Sequence, residues 1–337
     1  MVGNRRLLNR LESELRSATL SHAYIIEGAE GFGKHTLAMQ LSAALECESR
    51  NDPSASLPCG TCPACRKILS GNSPDVIFIN RGDKATLGVE VIRAMHADVY
   101  VPPNDGDNKI YIIEEAHLMT VQAQNAFLLT LEEPPSYVRF FLLCNTVAPL
   151  LETVRSRAPT LRLEPIPTNT VGETLCERER SAKLLREQSP EEFRELLIAA
   201  NGSIGRALQL LDPKLRKPIL QRRGTAREFL SLCMASHNSG AVLSFLNGLG
   251  QKREEILLQL EEITVCIRDL FVCKQTEQAP LCFFSDREQA LNLSYRFSAP
   301  ELLRISAGLE TAADSLRANA NVRLTLTAFA IEIGLLS

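Results

Sequence analysis

The sequence lacks long apolar runs and has no excess of charge of either sign. No stretch of eighteen apolar residues occurs in its 337 residues, which argues against a membrane-spanning helix. The formal net charge is −3, so any contact with nucleic acid needs a local basic patch. Residues 1–17 contain Glu12 and Glu14 and have no apolar core, which is typical of an amphipathic helix and not of an export signal. We therefore expect a cytoplasmic protein.

Ten cysteines in a reducing compartment indicate metal ligands and buried thiols in place of disulfides. Cys47, Cys59, Cys62 and Cys65 follow the spacing C-x11-C-x2-C-x2-C. Four thiolates close a tetrahedral zinc site with no position for a substrate water, so a structural Zn²⁺ is expected. An iron–sulfur cluster or four reduced thiols are the alternatives. The other six cysteines stand singly in apolar patterns and are expected in the core.

Strand-like and helix-like patterns alternate in the first half of the chain, which favours βαβ units and a parallel sheet. The predicted strands are near-continuous apolar runs, as in sheets covered on both faces; they span 23–27, 76–80, 109–114, 139–145 and 160–166. After Pro167 only helical periodicity continues. The predicted organisation is an α/β domain at 1–166 with an insert at about 47–75, a small helical domain at 167–212 and an all-α bundle at 213–337.

The segment GAEGFGKHT, residues 28–36, is close to the phosphate-binding pattern G-x-x-x-x-G-K-[ST]. The residues that match or surround the pattern are Gly28, Gly31, Gly33, Lys34, His35 and Thr36. A strand leads into the segment and a helix leaves it, so backbone N–H groups and Lys34 are expected to cradle a phosphate. His35 replaces the hydroxyl that binds Mg²⁺, and an imidazole is a poor ligand for that ion. Binding of ATP with Mg²⁺ therefore stays open.

A second acidic pattern follows the predicted strand KIYIIE. Glu114 stands where an aspartate usually holds the metal, and Glu115 stands where a base would polarise the attacking water. Solvated acids at a strand end are the alternative. Both departures, His35 and Glu114, fall on Mg²⁺ ligands, which indicates weakened catalysis.

The order of four segments narrows the class of protein. LSHAYIIEGAEGFGKHTLA, CGTCPACRKILSGNSPDV, IYIIEEAHLMTVQAQNAFLLTLEEPP and FFLLCNTVAPLLETVRSRA resemble the bacterial clamp-loader family of AAA+ proteins over about residues 1–165. The resemblance implies an AAA+ P-loop domain, a helical lid and a helical collar used in oligomerisation. It also implies a ring of five subunits that places a sliding clamp on primed DNA.

The resemblance assigns roles to residues that carry no motif by themselves. Ser156-Arg157-Ala158 matches the family's S-R-C motif without its cysteine, so Arg157 is expected to act in trans as an arginine finger. Asn145 matches the first sensor position, with a strand-end cap as the alternative. Arg206 lies near the second sensor position, but motor subunits place their arginine where this chain has Gly205.

Two kinds of subunit are consistent with the resemblance, a stator and an ATP-hydrolysing motor of the tau/gamma type. The departures at Mg²⁺ ligands favour a stator with weak or absent hydrolysis of its own. The implied partners are the tau/gamma and delta subunits in a hetero-pentamer, with the sliding clamp and primed DNA reached through the complex. No carboxylate set suited to nucleotide addition is present, so a polymerase activity would belong to the holoenzyme.

A basic cluster begins the predicted bundle. It consists of Lys214, Arg216, Lys217, Arg222, Arg223 and Arg227. Contact with phosphates or with an acidic neighbour is one interpretation, and a solvated helix face is the other.

Overall fold

The computed structural model describes residues 2–235, 239–250, 252–276 and 281–336. It divides into two compact units: 1–167 with 203–205, and 168–202 with 206–337. The predicted end of the α/β domain near Pro167 lies at this division. The further boundary near residue 212 stays a prediction.

The first unit is built on one parallel sheet. Its strands are β1 (Ala23–Glu27), β2 (Val76–Ile79), β3 (Lys109–Ile113), β4 (Val138–Cys144) and β5 (Thr160–Arg162). They lie in the order β2-β3-β4-β1-β5, and every pair is parallel. The sequence placed the strands correctly but extended the last one to residue 166. Pro165 and Pro167 have no backbone N–H to donate, so they cannot continue the ladder.

Six α-helices of the first unit are α1 (Arg5–Arg16), α2 (Lys34–Leu45), α3 (Pro63–Leu69), α4 (Val89–Val99), α5 (Val121–Glu132) and α6 (Glu152–Arg155), and a 3₁₀ turn spans Ala116–Leu118. Successive strand residues point to opposite faces of a sheet. Ile26 accordingly joins an apolar cluster with α1, α2 and α3, whereas Ile25 joins a second cluster with α4, α5 and α6. Both faces are thus covered, which explains the continuous apolar strands.

The second unit is helical. Its elements are α7 (Thr168–Arg178), α8 (Arg180–Gln188), α9 (Pro190–Ala199), α10 (Ile204–Gln209, whose first two residues belong to the first unit), α11 (Pro213–Met234), α12 (Ser239–Gly248), α13 (Arg253–Gln275), α14 (Arg287–Ser294), α15 (Ala299–Arg317) and α16 (Val322–Glu332). One apolar cluster joins the six helices from α11 to α16. Among the described residues, no helix is both long and apolar enough to cross a membrane.

Candidate functional site

The phosphate-binding segment forms the turn from β1 into α2. Gly31 and Gly33 have φ of 75° and 88°, a region in which a side chain would be strained. Gly33 is also the residue immediately before the first turn of α2. The glycines thus give the turn the backbone shape that brings the positive end of a twelve-residue helix to the loop.

Lys34 joins this loop to the neighbouring strand end. Its Nζ donates to the carbonyls of Gly28 and Ala29 at 2.6 and 3.0 Å and to Asn145 Oδ1 at 2.8 Å. Asn145 follows β4, which pairs with β1, so the two predicted binding residues meet at the carboxyl edge of the sheet. These three acceptors match the three protons of the ammonium group, so each proton has an oxygen partner within the chain. Burial lowers the pKa of this ammonium group.

The His35 side chain lies where a metal-binding hydroxyl was expected. Its ring stacks on Phe78, with ring centroids 5.1 Å apart and planes 9° from parallel. Its Nε2 is 3.7 Å from Glu114 Oε1, too long for a hydrogen bond. Thr36, one residue later, points about 100° further round the helix. Because Mg²⁺ demands close oxygen ligands, this set of donors does not fit that ion.

The second acidic residue, Glu115, is bound by an arginine that the sequence analysis did not single out. Glu115 has φ of 47°, in the left-handed region that non-glycine residues rarely adopt. Its Oε2 accepts from Arg81 Nε at 2.8 Å. Arg81 lies two residues beyond the end of β2, so the rule that sites collect at the carboxyl ends of parallel strands could have found it.

His117 is a second residue that sequence reasoning missed. Its Nδ1 lies 3.4 Å from the backbone nitrogen of Asn145, which donates to it. Burial lowers the pKa of His117, which favours the neutral ring needed to accept this bond. Asn145 is therefore held at two points: its backbone N–H by His117 and its side-chain amide oxygen by Lys34.

Arg157 lies at the surface, two residues after the end of the short helix α6. Its guanidinium donates to Glu132 Oε1 at 2.6 Å and to the Thr153 carbonyl at 3.0 Å. Ala158, which replaces the cysteine of the family motif, is fully buried in the α4–α6 cluster. A small apolar side chain therefore fills this position. Arg206 lies on α10, one position after Gly205.

The four predicted metal ligands converge in the insert between α2 and β2. The Sγ atoms of Cys47, Cys59, Cys62 and Cys65 all lie within 4.8 Å of one another. Tetrahedral zinc with Zn–S bonds of about 2.3 Å needs sulfurs about 3.8 Å apart, and Cys59 and Cys65 are at 3.9 Å. The residues therefore fit a zinc ion, which they would hold in a closed, purely structural site.

Backbone N–H groups donate to two of the four sulfurs. The N–H of Cys62 donates to Cys59 Sγ, and the N–H of Cys65 donates to Cys62 Sγ, each at 3.4 Å. The hydrogen bond from the Cys62 N–H, together with those from Thr61, lowers the pKa of Cys59 to about 5. Burial raises the pKa of the Cys65 thiol. A bound cation would overcome this burial effect, because metal coordination deprotonates a thiol.

Two of the six members of the basic cluster are buried and pair with acidic residues of the same chain. Arg216 and Arg223 are 6% and 1% exposed. Arg216 pairs with Glu192 at 2.8 Å, and Arg223 pairs with both Glu195 and Glu262. Buried charges of this kind require partners inside the protein, so these arginines are neither a phosphate contact nor a solvated face.

Comparison with known proteins shows which family the first unit resembles. A family model described as DNA polymerase III, delta subunit, matches residues 3–167. Residues 3–167, just under half of the chain, are therefore similar to DNA polymerase III subunits. This is the part of the chain that holds the phosphate loop, the cysteine cluster and Arg157.

Individual relatives carry related names. DNA polymerase III subunit tau of Escherichia coli is 32% identical over 216 residues, which cover 63% of this chain and 32% of tau. Subunit delta' of Bacillus subtilis is 28% identical over 228 residues, covering 67% of this chain and 68% of the relative. A gamma subunit-related protein of Thermotoga maritima aligns over 96% of this chain and 98% of its own, with a TM-score of 0.42 and 18% identity. The chain thus spans about a third of the length of the tau subunit that it matches.

Proposed function

We propose that this chain is a delta-prime-type subunit of a DNA polymerase III clamp loader. It acts as a stator that donates Arg157 to the ATP of a neighbouring subunit and hydrolyses little or no ATP itself. The observation that carries the proposal is the placement of His35, whose ring stacks on Phe78 beside Glu114 where a metal ligand is required.

The proposed partners follow from the family. The chain joins tau/gamma and delta subunits in a hetero-pentamer and reaches the sliding clamp and primed DNA through that complex. Its place is the cytoplasmic, nucleoid-associated replication machinery. The helical bundle supplies oligomer contacts, and zinc in the Cys47–Cys65 insert maintains the local fold without taking part in chemistry.

The chemistry assigned to Arg157 is electrostatic. In phosphoryl transfer, charge develops on the oxygens of the transferred group, and a guanidinium placed there stabilises the transition state. A finger supplied in trans accelerates hydrolysis by about 10³- to 10⁵-fold in well-studied cases. Arg157 is suited to this role because its side chain is 37% exposed while its backbone is anchored by buried neighbours.

Reconstitution tests this proposal. The isolated chain is expected to hydrolyse ATP at background rate. In a loader rebuilt with tau/gamma and delta subunits, Arg157→Ala should lower ATP turnover while the complex still assembles on size-exclusion chromatography. An unchanged turnover in the assembled complex would refute the trans-acting role.

An ATP-hydrolysing tau/gamma-type motor is the second candidate. Two observations favour it: the retained Lys34 in a correctly formed loop, and the 32% identity to tau subunits. The two candidates differ in the pure chain. Robust turnover that is abolished by Lys34→Ala would establish the motor and exclude the stator.

A further inference from the structure

The guanidinium of Arg157 is held at both of its terminal nitrogens. Nη2 donates to Glu132 Oε1 at 2.6 Å, and Nη1 donates to the Thr153 carbonyl at 3.0 Å. Because the guanidinium is planar, two acceptors on different nitrogens fix both its position and the orientation of its plane. Three of its five N–H donors are not used by these contacts.

Glu132 occupies a position that is unfavourable for its own helix. It is the last residue of α5, and the last turn of that helix contains no basic residue. The carboxyl end of a helix carries partial negative charge, so a carboxylate there is destabilising unless a cation is near. Arg157, which lies 25 positions later in the chain, provides that cation. The pair therefore compensates an electrostatic cost that α5 could have avoided with a neutral residue.

The two side chains start from fixed backbone positions. Leu131, beside Glu132, is 1% exposed, and both Val154 and Ala158, which flank Arg157, are fully buried. All three belong to the apolar cluster on the α4–α6 side of the sheet. The side chains themselves are 50% and 37% exposed, so this ion pair contributes little to stability. Its consequence is geometric, since it restricts the rotamers of an arginine at the surface.

We propose that Glu132 is a positioning residue for Arg157. It orients the guanidinium before a neighbouring subunit docks, so that the unused N–H donors face the partner's nucleotide without a further entropy cost. This inference rests on the proposed function of Arg157 in trans. Glu132 itself touches neither nucleotide nor metal in this scheme.

The test is steady-state ATPase in the reconstituted loader. Glu132→Gln keeps the shape of the side chain but removes its charge, and it should lower kcat about 3- to 10-fold, as expected when one rotamer-rich side chain is no longer ordered. The KM for ATP should change little, because the finger acts on the transition state. Glu133→Gln, the adjacent exposed acid, is the matched control and should leave kcat unchanged. Glu132→Asp should restore part of the loss.

A double-mutant cycle distinguishes the positioning role of Glu132 from the trans-acting role of Arg157. In an Arg157→Ala background, Glu132→Gln should have no further effect, because its influence passes through the guanidinium. If Arg157→Ala alone leaves turnover unchanged, the trans-acting role fails. If Arg157→Ala lowers turnover but Glu132→Gln does not, or if the two losses add, the positioning role fails and the finger stands. A rise in kcat for Glu132→Gln would also overturn the proposal, since it would show that Glu132 restrains the finger.

Discussion

Replacing Arg223 with alanine should destabilise the second unit more than replacing Arg227, another member of the basic cluster. Arg223 is 1% exposed on α11. Its guanidinium binds Glu195 on α9 at 3.2 Å and Glu262 on α13 at 2.9 Å. It also donates to the carbonyl of Phe283 and lies 4.4 Å from the centre of that residue's ring.

The magnitude follows from what alanine leaves behind. Removing one partner of a buried ion pair costs roughly 3–5 kcal/mol, because the remaining charge is desolvated and unpaired. Glu195 keeps Arg227 as a partner at 2.5 Å, whereas Glu262, whose side chain is 15% exposed, loses this pair. We therefore expect a loss of about 3 kcal/mol, at the lower end of the range. Arg227→Ala breaks a pair whose arginine is 49% exposed and should cost no more than about 1 kcal/mol.

The assay must report on the second unit alone, because a chain with two compact units need not unfold in one step. Native-state hydrogen exchange of the amides in α11 and α13 provides this resolution. Arg223→Met should recover only the part of the loss that comes from the vacated volume, since Glu262 stays unpaired. If Arg223→Ala and Arg227→Ala lower the protection of these amides equally, the account of the buried network is wrong.

Two further predictions concern the first unit. Cys62→Ser should abolish the binding of one zinc per chain, measured by metal analysis, whereas Cys233→Ser should leave the zinc content unchanged. Asp75→Asn should cost about 1–3 kcal/mol in chemical denaturation, because the buried carboxylate accepts from the N–H groups of Asn104 and Asp105 at 2.6 and 2.8 Å. Burial raises the pKa of Asp75, but the hydrogen bonds from these donors lower it by more, so the net pKa lies below the ordinary value. Its contribution is therefore complete above the unfolded pKa of about 3.9 and is lost as pH falls through the lower folded pKa. The difference between wild type and Asp75→Asn should disappear in that acidic range, and a difference that persists there would contradict the reasoning.

Most of the first unit could be predicted from local sequence patterns. Three features of the sequence are each determined by a few neighbouring residues: the β-branched strands, the glycines at residues 31 and 33, and the closely spaced cysteines. Parallel pairing then brings strand ends together, so the meeting of Lys34 with Asn145 follows from the βα order. The last strand was overextended because its apolar pattern continues beyond the prolines that end its hydrogen bonding.

Long-range pairing between charged side chains could not be predicted in this way. Arg223 and Glu262 are 39 positions apart and meet only because α11 and α13 pack together. Within α11 itself, the arginine looks like any other solvated cation. The pairing of Arg157 with Glu132 is equally hard to predict, because the residues around each one give no sign of its partner. The backbone angle of Glu115 is a third case, because left-handed geometry at a glutamate has no compositional signal.

The cysteine-containing insert at about residues 47–75 affects solubility through the strand that follows it. The insert leads directly into β2, which is an edge strand and covers one side of β3. The five residues of β3 are all buried and include the run IYII. If loss of zinc releases β2, this run becomes an open sheet edge that can pair with another chain. The four cysteines, remote from any chemistry, would thereby protect the protein from aggregation.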